Sequence, residues 1–208
     1  MLSLSTLLTA LIDFRGPSAF NQYSEEDQQY DLPGAAGIRV ENLKKYLEIF
    51  KGAKVVLVGE APSFHGCRFS GIPFMSEDFL AGPSPLDWAV GAGFKRTSNG
   101  PKLMKEMSAS IVWETLGRRT DVILWNAFPW YAHKQGNTSG NRLPTKDEVF
   151  KAAPVLKTFL ALYPKAHVYA VGRTAEHALM EIGIEADYIR HPAMGGKRKF
   201  QEGIKRLM

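Results

Sequence analysis

The sequence predicts an α/β protein, a three-layer sandwich whose central four-stranded parallel sheet is flanked by helices. Four short apolar runs rich in β-branched residues alternate with segments of helical periodicity, and this alternation implies right-handed crossovers between parallel strands. The runs do not alternate with polar residues, as expected for strands covered on both faces. The chain has 208 residues, 45% hydrophobic and 23% charged, a typical globular composition. We expect one domain over residues 1–208, with residues 1–53 as a helical extension packed on it.

The elements follow from periodicity and from local stop signals. The first helix is predicted over residues 40–50, where apolar residues recur every three or four positions before Gly52. Thr145 and Glu148 form a capping box at the start of a later helix, which Pro154 should bend rather than end. Four strands are predicted, over residues 54–60, 121–126, 167–172 and, as a weaker run, 186–191. Three helices are predicted between them, over residues 103–116, 146–162 and 175–182.

Composition excludes several classes of protein. No apolar run approaches the roughly 20 residues that a transmembrane helix needs, and the apolar N-terminal stretch lacks the basic region and cleavage site of a signal peptide. Cys67 is the single cysteine, so the chain alone cannot build a disulfide framework or a metal site of several thiolates. We therefore expect a cytoplasmic monomer that does not contact membranes and holds no metal.

The positive charge of the chain is concentrated at its C-terminal end. Residues 190–208 hold six Lys or Arg side chains against one Glu, which accounts for the whole formal net charge of +5. Such a cluster suits a polyphosphate partner, most often nucleic acid. The alternative is a solvated basic face of a C-terminal helix.

Polar residues follow all four predicted strands, where open α/β sheets bind their ligands. Asn126 could recognise the edge of a nucleobase or cap the following turn. His191 could donate a hydrogen bond to an oxygen that gains negative charge, or it could be an ordinary loop residue. Glu60 could orient water or act as a base, or its carboxylate could be satisfied by backbone N–H groups. The strand ends are Gly59-Glu60-Ala61-Pro62, Asn126-Ala127-Phe128-Pro129, Gly172-Arg173-Thr174 and His191-Pro192-Ala193.

Two further segments have a composition that suits nucleic acid. Met194 precedes two glycines and could insert into a base stack, or it could pack in the core. The basic residues that follow it, Lys197, Arg198 and Lys199, would contact phosphates. Residues 125–142 mix aromatic and basic side chains, which suits either single-stranded nucleic acid or a packed loop. The residues concerned are Trp130, Tyr131, His133, Lys134, Asn137 and Arg142.

Four of these segments, taken in order, resemble the motifs of the uracil-DNA glycosylase superfamily. They are Gly59-Glu60-Ala61-Pro62, Gly71-Ile72-Pro73-Phe74, Asn126 at a strand end, and His191-Pro192-Ala193. The resemblance covers residues 55–200. It implies an enzyme that flips a damaged base, with uracil as the first candidate, out of DNA into a pocket. It also implies that the glycosidic bond breaks through an oxocarbenium-like state, with no metal, cofactor or covalent intermediate.

The resemblance also assigns roles to individual residues. Glu60 falls in the water-activating loop and Phe74 matches the residue on which the flipped base stacks. Asn126 matches the residue that recognises the pyrimidine edge, and His191 the one that hydrogen-bonds the oxygen of the departing base. Ala61 and Pro62 fall in the base-binding loop. The predicted DNA contact comprises Ser63 and, from the composition argument above, Met194, Lys197, Arg198 and Lys199.

This chain departs from the family pattern at several positions. It lacks the set of cysteines with which one branch binds an iron–sulfur cluster. Ser63 stands where other branches have Gly or a Tyr that excludes thymine, Ala61 where some have an Asp or Asn that positions water, and Ala193 where Ser is usual. Two alternatives therefore stay open. One is a DNA-binding protein of the same fold with another lesion as substrate or with no glycosylase activity, and the other is a small nucleotide-binding α/β domain.

Overall fold

A computed structural model describes residues 3–207. Residues 1, 2 and 208, which belong to the expected domain, lie outside the described residues. Eight helices are described: α1 (Leu4–Asp13), α2 (Ala35–Ile49), α3 (Cys67–Ser70), α4 (Glu77–Ala81), α5 (Met107–Leu116), α6 (Lys146–Leu160), α7 (Arg173–Glu181) and α8 (Lys197–Lys205). Seven strands are described: β1 (Ala19–Phe20), β2 (Val55–Gly59), β3 (Val122–Asn126), β4 (Tyr131–Lys134), β5 (Asn137–Asn141), β6 (His167–Val171) and β7 (Asp187–Ile189).

The predicted parallel sheet is confirmed. It has four strands in the order β3-β2-β6-β7, and every neighbouring pair is parallel. In the pair formed by β2 and the edge strand β3, Val55 lies opposite Val122 and Gly59 opposite Asn126. Because β2 and β3 are in register to their last residue, their carboxyl ends lie side by side at one edge of the sheet.

Helices flank this sheet and bury its side chains. The indole of Trp125 in β3 stacks on Phe159 of α6, with ring centroids 4.1 Å apart. The hydroxyl of Tyr46 in α2 accepts a hydrogen bond of 2.9 Å from the backbone N–H of Leu124. In α6 the capping box forms and Pro154 lies within the helix, as predicted. No helix within residues 3–207 is both long and apolar enough to cross a membrane.

A second, antiparallel sheet of order β1-β4-β5 was not predicted. Its strands are short, and β5 is a polar, mostly exposed run without the β-branched signal of the main sheet. Trp130 and Tyr131, which precede and open β4, are each 1% exposed. The packed-loop interpretation therefore holds for these two aromatic residues, whereas Lys134 and Asn137 at the tip of the hairpin are exposed.

The helix predicted over residues 103–116 begins later than predicted. Helix α5 starts at Met107, and Glu106 is its N-cap in an extended conformation. The preceding segment is non-helical because the backbone N–H of Met104 donates to the buried carboxylate of Glu77. That tertiary contact, which periodicity does not encode, overrides the local helical pattern.

Candidate active site

A cleft of about 320 Å³ opens where β2 and β3 end. It brings together residues from all four sequence motifs: Glu60, Ala61, Pro62, Ser63, Phe74, Asn126, His191 and Met194. A larger groove, of about 610 Å³, lies between α6 and α7, and Thr174 is the one strand-end residue of the sequence analysis that lines it. The chemistry-bearing residues thus converge on the smaller cleft.

Asn126, the last residue of β3, presents a free amide to this cleft. Its side chain is 2% exposed, yet no residue in the described part of the chain hydrogen-bonds its amide. The backbone N–H groups of the following turn do not need the Asn126 side chain as an acceptor. Those of Ala127 and Phe128 donate to the carbonyls of Gly59 and Glu60. Asn126 is therefore not a turn cap, and its donors and acceptor remain open to a ligand.

Phe74 lies against the end of β2. A Cβ atom on Gly59 would stand 2.1 Å from Cζ of the Phe74 ring, so only glycine leaves room for the aromatic side chain. The backbone of Phe74 has φ of 53°, and its carbonyl accepts a hydrogen bond of 2.9 Å from the indole of Trp113. These contacts hold an aromatic ring beside Asn126, as stacking of a flipped base requires.

His191 follows β7, and its ring centroid lies 5.9 Å from that of Phe74. Burial, with a smaller contribution from Arg190, lowers the pKa of His191 to about 4. The imidazole is therefore neutral at physiological pH. Because its Nδ1 accepts a hydrogen bond of 3.2 Å from the N–H of Ala193, the ring proton is assigned to Nε2. His191 is thus set up as a neutral hydrogen-bond donor.

Glu60 is partly buried and already has a partner within the protein. Its Oε2 accepts a hydrogen bond of 2.7 Å from the hydroxyl of Thr174 in the first turn of α7. The alternative interpretation, a carboxylate satisfied by backbone N–H groups, is not what the described residues show. Glu60 therefore ties the end of β2 to the start of α7 while its carboxylate lines the cleft.

Sequence reasoning missed a second carboxylate in the cleft, that of Glu106. It lies 47 residues beyond Gly59 in the chain and joins the site through the long connection between β2 and β3. Burial raises the pKa of Glu106 to about 7, and the neighbouring Ser63 hydroxyl opposes that shift. No motif marks this residue, because its position depends on the tertiary course of the connection.

Met194 and the basic residues after it lie at the rim. Met194 is 97% exposed, which excludes core packing, and it lines the cleft. Lys197, Arg198 and Lys199 open α8 outside the cleft and are all exposed. Lys197 pairs with Glu114 at 2.7 Å, and Arg198 pairs with Glu202 at 3.6 Å.

Arg142 has a structural role among the residues considered for nucleic-acid contact. Its guanidinium donates to both carboxylate oxygens of Glu148 and to the carbonyls of His133 and Ser18. It fastens the β4–β5 hairpin to α6. The neighbouring Asn141 accepts a hydrogen bond from the N–H of Phe64, which joins the same hairpin to the loop after β2.

A comparison with known families identifies the family of this chain. Residues 48–203 match the family model described as the Uracil DNA glycosylase superfamily. The match covers more than half of the chain, so the protein belongs to the uracil-DNA glycosylase superfamily. Membership supports a function of the DNA glycosylase type and DNA as the binding partner. A search among curated proteins finds no match.

Proposed function

We propose that the protein is a monofunctional DNA glycosylase that hydrolyses the N-glycosidic bond of a flipped-out uracil as a step of base-excision repair. The observation that carries the proposal is the pairing of an unoccupied Asn126 amide with a neutral His191 in one cleft. An amide offers both donors and an acceptor, as the edge of a pyrimidine does. A neutral imidazole can donate to the oxygen that becomes negative as the base departs.

In this reaction the flipped base stacks on the Phe74 ring while Asn126 hydrogen-bonds its edge. The C1′–N bond breaks with its electron pair on the base, and the sugar passes through an oxocarbenium-like state. His191 donates from Nε2 to the anionic base oxygen. Because Nδ1 accepts a hydrogen bond from the Ala193 N–H, the tautomer with its proton on Nδ1 would lose that bond, and the contact favours the tautomer with its proton on Nε2.

The exposed rim would hold the DNA. The Met194 side chain is placed to fill the gap that the flipped base leaves in the stack. The ammonium and guanidinium groups at the start of α8 would lie along the backbone phosphates, so binding should weaken steeply as salt rises.

Base release tests this proposal. Oligonucleotides carrying uracil, hypoxanthine or 5-hydroxymethyluracil, single- and double-stranded, are incubated with wild type, Asn126→Ala and His191→Ala. Removing one such hydrogen-bond donor lowers the rate about 10²- to 10³-fold, so both variants should lose that much. The matched controls are His167→Ala and Asn99→Ala, whose side chains are exposed and lie outside the cleft, and they should match wild type.

Absence of base release by the wild type from every substrate would overturn the proposal. If DNA binding then persists and weakens with salt, the protein is a DNA-binding member of the fold with another lesion or no activity. If binding is absent as well, the nucleotide-binding alternative gains support.

A further inference from the structure

Two polar groups, the Ser63 hydroxyl and the Glu106 carboxylate, meet on one wall of the cleft. A Cβ atom on Gly66 would stand 2.1 Å from Oε2 of Glu106 and 2.9 Å from Oγ of Ser63. The carboxylate and the hydroxyl therefore approach each other over a residue that has no side chain. A glycine at position 66 is what allows Glu106 to reach the cleft.

Each group keeps hydrogen-bonding capacity to spare. The Ser63 hydroxyl is buried and makes no hydrogen bond of normal geometry within residues 3–207, although it lies close enough to the Glu106 carboxyl to lower the pKa of that group. No backbone N–H in this part of the chain donates to the Glu106 carboxylate. Buried polar groups are normally paired with protein or with ordered water. A neighbouring hydroxyl and carboxylate that line an open cleft, and that have hydrogen-bonding capacity to spare, fit a bound water molecule between them.

The other carboxylate in the cleft differs in this respect. One oxygen of the Glu60 carboxylate accepts a hydrogen bond of 2.7 Å from the Thr174 hydroxyl, and this bond joins the end of β2 to α7. Ala61, next in the motif, has no polar side chain with which to orient water. The Glu60 carboxylate is therefore already engaged in a structural hydrogen bond. The Glu106 carboxylate is the one in the cleft that is better placed to bind water.

We propose that Glu106, assisted by the Ser63 hydroxyl, holds the water molecule that attacks the sugar and accepts its proton. This inference rests on the proposed glycosylase function and assigns its general base. As the C1′–N bond breaks, its electron pair leaves with the base. The water oxygen forms the new bond to C1′, and one water proton moves to the Glu106 carboxylate. The products are the free base, protonated from solvent, and an abasic deoxyribose.

The electrostatic surroundings of Glu106 agree with this role. Burial raises the pKa of its carboxyl to about 7, near the pH at which a general base acts best. Cys67 of α3 lies close by, and burial keeps that thiol protonated by raising its pKa. The other ionisable groups of the cleft are Glu60, Arg142 and His191. Of these, Arg142 is paired with Glu148 and His191 is neutral, so none of them supplies a free counter-charge for Glu106.

The pH dependence of base release follows from the pKa of Glu106. Below pH about 7 the Glu106 carboxyl is protonated and cannot accept the water proton. Base release should therefore fall about tenfold per pH unit as the pH drops below that value. His191 adds no change between pH 5.5 and 8.5, because its pKa is about 4.

The test is single-turnover base release between pH 5.5 and 8.5 by wild type, Glu106→Gln, Glu60→Gln and Ser63→Ala. Glu106→Gln should lose at least about 10²-fold at pH 8 and should have no acid limb. Glu60→Gln should lose less than about tenfold and keep the acid limb, and Ser63→Ala should lie between the two. Glu185→Gln, at an exposed residue remote from the cleft, is the control for the substitution itself.

Two further readouts separate chemistry from folding. Thermal unfolding and affinity for DNA carrying a non-hydrolysable 2′-fluoro-2′-deoxyuridine should be unchanged in Glu106→Gln. If that variant unfolds, Glu106→Asp should keep a reduced rate with an acid limb. Wild-type activity in Glu106→Gln, or an acid limb lost in Glu60→Gln instead, would overturn the role of Glu106 and leave the glycosylase function standing. A wild type without base release would overturn both.

Discussion

The cleft is assembled from two regions that are held in different ways. Strand ends supply Glu60 and Asn126, and their positions follow from the parallel ladder in which Gly59 lies opposite Asn126. The long connection between β2 and β3 supplies Phe74 and Glu106. Main-chain hydrogen bonds within the sheet fix the first pair, whereas only tertiary contacts can fix the second.

Buried charges provide those contacts. The Glu77 carboxylate accepts hydrogen bonds from the backbone N–H groups of Thr97, Ser98 and Met104. At the other end of the connection, Arg68 pairs with the buried Asp31.

Arg39 of α2 pairs with the same Asp31 carboxylate. The Arg68 guanidinium also lies over the rings of Phe20 and Phe69, 4.1 and 4.2 Å from their centroids. The connection is thus held by a few buried polar groups rather than by a repeating pattern. We expect the cleft residues of the connection to be more sensitive to single substitutions than the residues of the sheet are.

The largest effect should come from a change where the two regions touch. In Gly59→Ala the new Cβ would clash with the Phe74 ring and push it out of the stacking position. Overpacking of this kind costs about 1–3 kcal/mol of stability, and we expect base release to fall about 10²-fold, or ~2.7 kcal/mol. Single-turnover assays and urea unfolding measure the two effects. Gly52→Ala, which meets nothing within 4 Å, is the control, and a Gly59→Ala rate within twofold of wild type would refute the contact.

A smaller effect on base release is expected from a substitution that removes hydrogen bonds only within the connection between β2 and β3. Glu77→Gln keeps the shape of the side chain but turns an amide toward backbone donors, so hydrogen bonds are lost in the interior. We expect a loss of about 2 kcal/mol in the free energy of unfolding, measured by urea titration, with a smaller change in base release than Gly59→Ala gives. Glu185→Gln should leave stability unchanged. Equal stability of Glu77→Gln and wild type would show that other contacts hold the connection.

The smallest effect should come from the rim. Met194→Ala removes an exposed side chain, so stability should stay within about 0.5 kcal/mol of wild type. Release from double-stranded DNA should fall about fivefold, or ~1 kcal/mol, because the stack is no longer held open. Release from single strands should not change. Met180→Ala, a similarly exposed methionine on α7, serves as control, and an equal loss on both substrates would argue against insertion into the stack.

The same contrast explains what the sequence could predict. The strands are short β-branched runs, and the helix at Lys146–Leu160 carries its own capping box, so local pattern defines both. Asn126 and His191 could be singled out from the sequence because they stand at the carboxyl ends of such strands. Their place at one edge of the sheet is a consequence of parallel topology, which the alternation of strands and helices already implies.

The rest depends on contacts between distant segments. Glu106 could not be predicted, because nothing within the connection shows that Gly66 leaves space for its carboxylate. The β5 strand was missed because its sequence, Asn-Thr-Ser-Gly-Asn, is typical of a loop. The sequence signal that could have been considered is an acidic residue in the long connection after the first motif. It becomes informative only when the fold shows which acidic residue reaches the cleft.

The most direct test of the central claim is whether the cleft recognises the base before any bond breaks. Affinities are measured for duplex DNA carrying 2′-fluoro-2′-deoxyuridine or 2′-fluoro-2′-deoxycytidine at one position, with wild type and Asn126→Ala. Because a good pair of hydrogen bonds to a base edge contributes about 1–3 kcal/mol, wild type should prefer the uracil analogue by about tenfold or more. Asn126→Ala should bind both alike. No preference in wild type, or an equal preference in Asn126→Ala, would contradict the account.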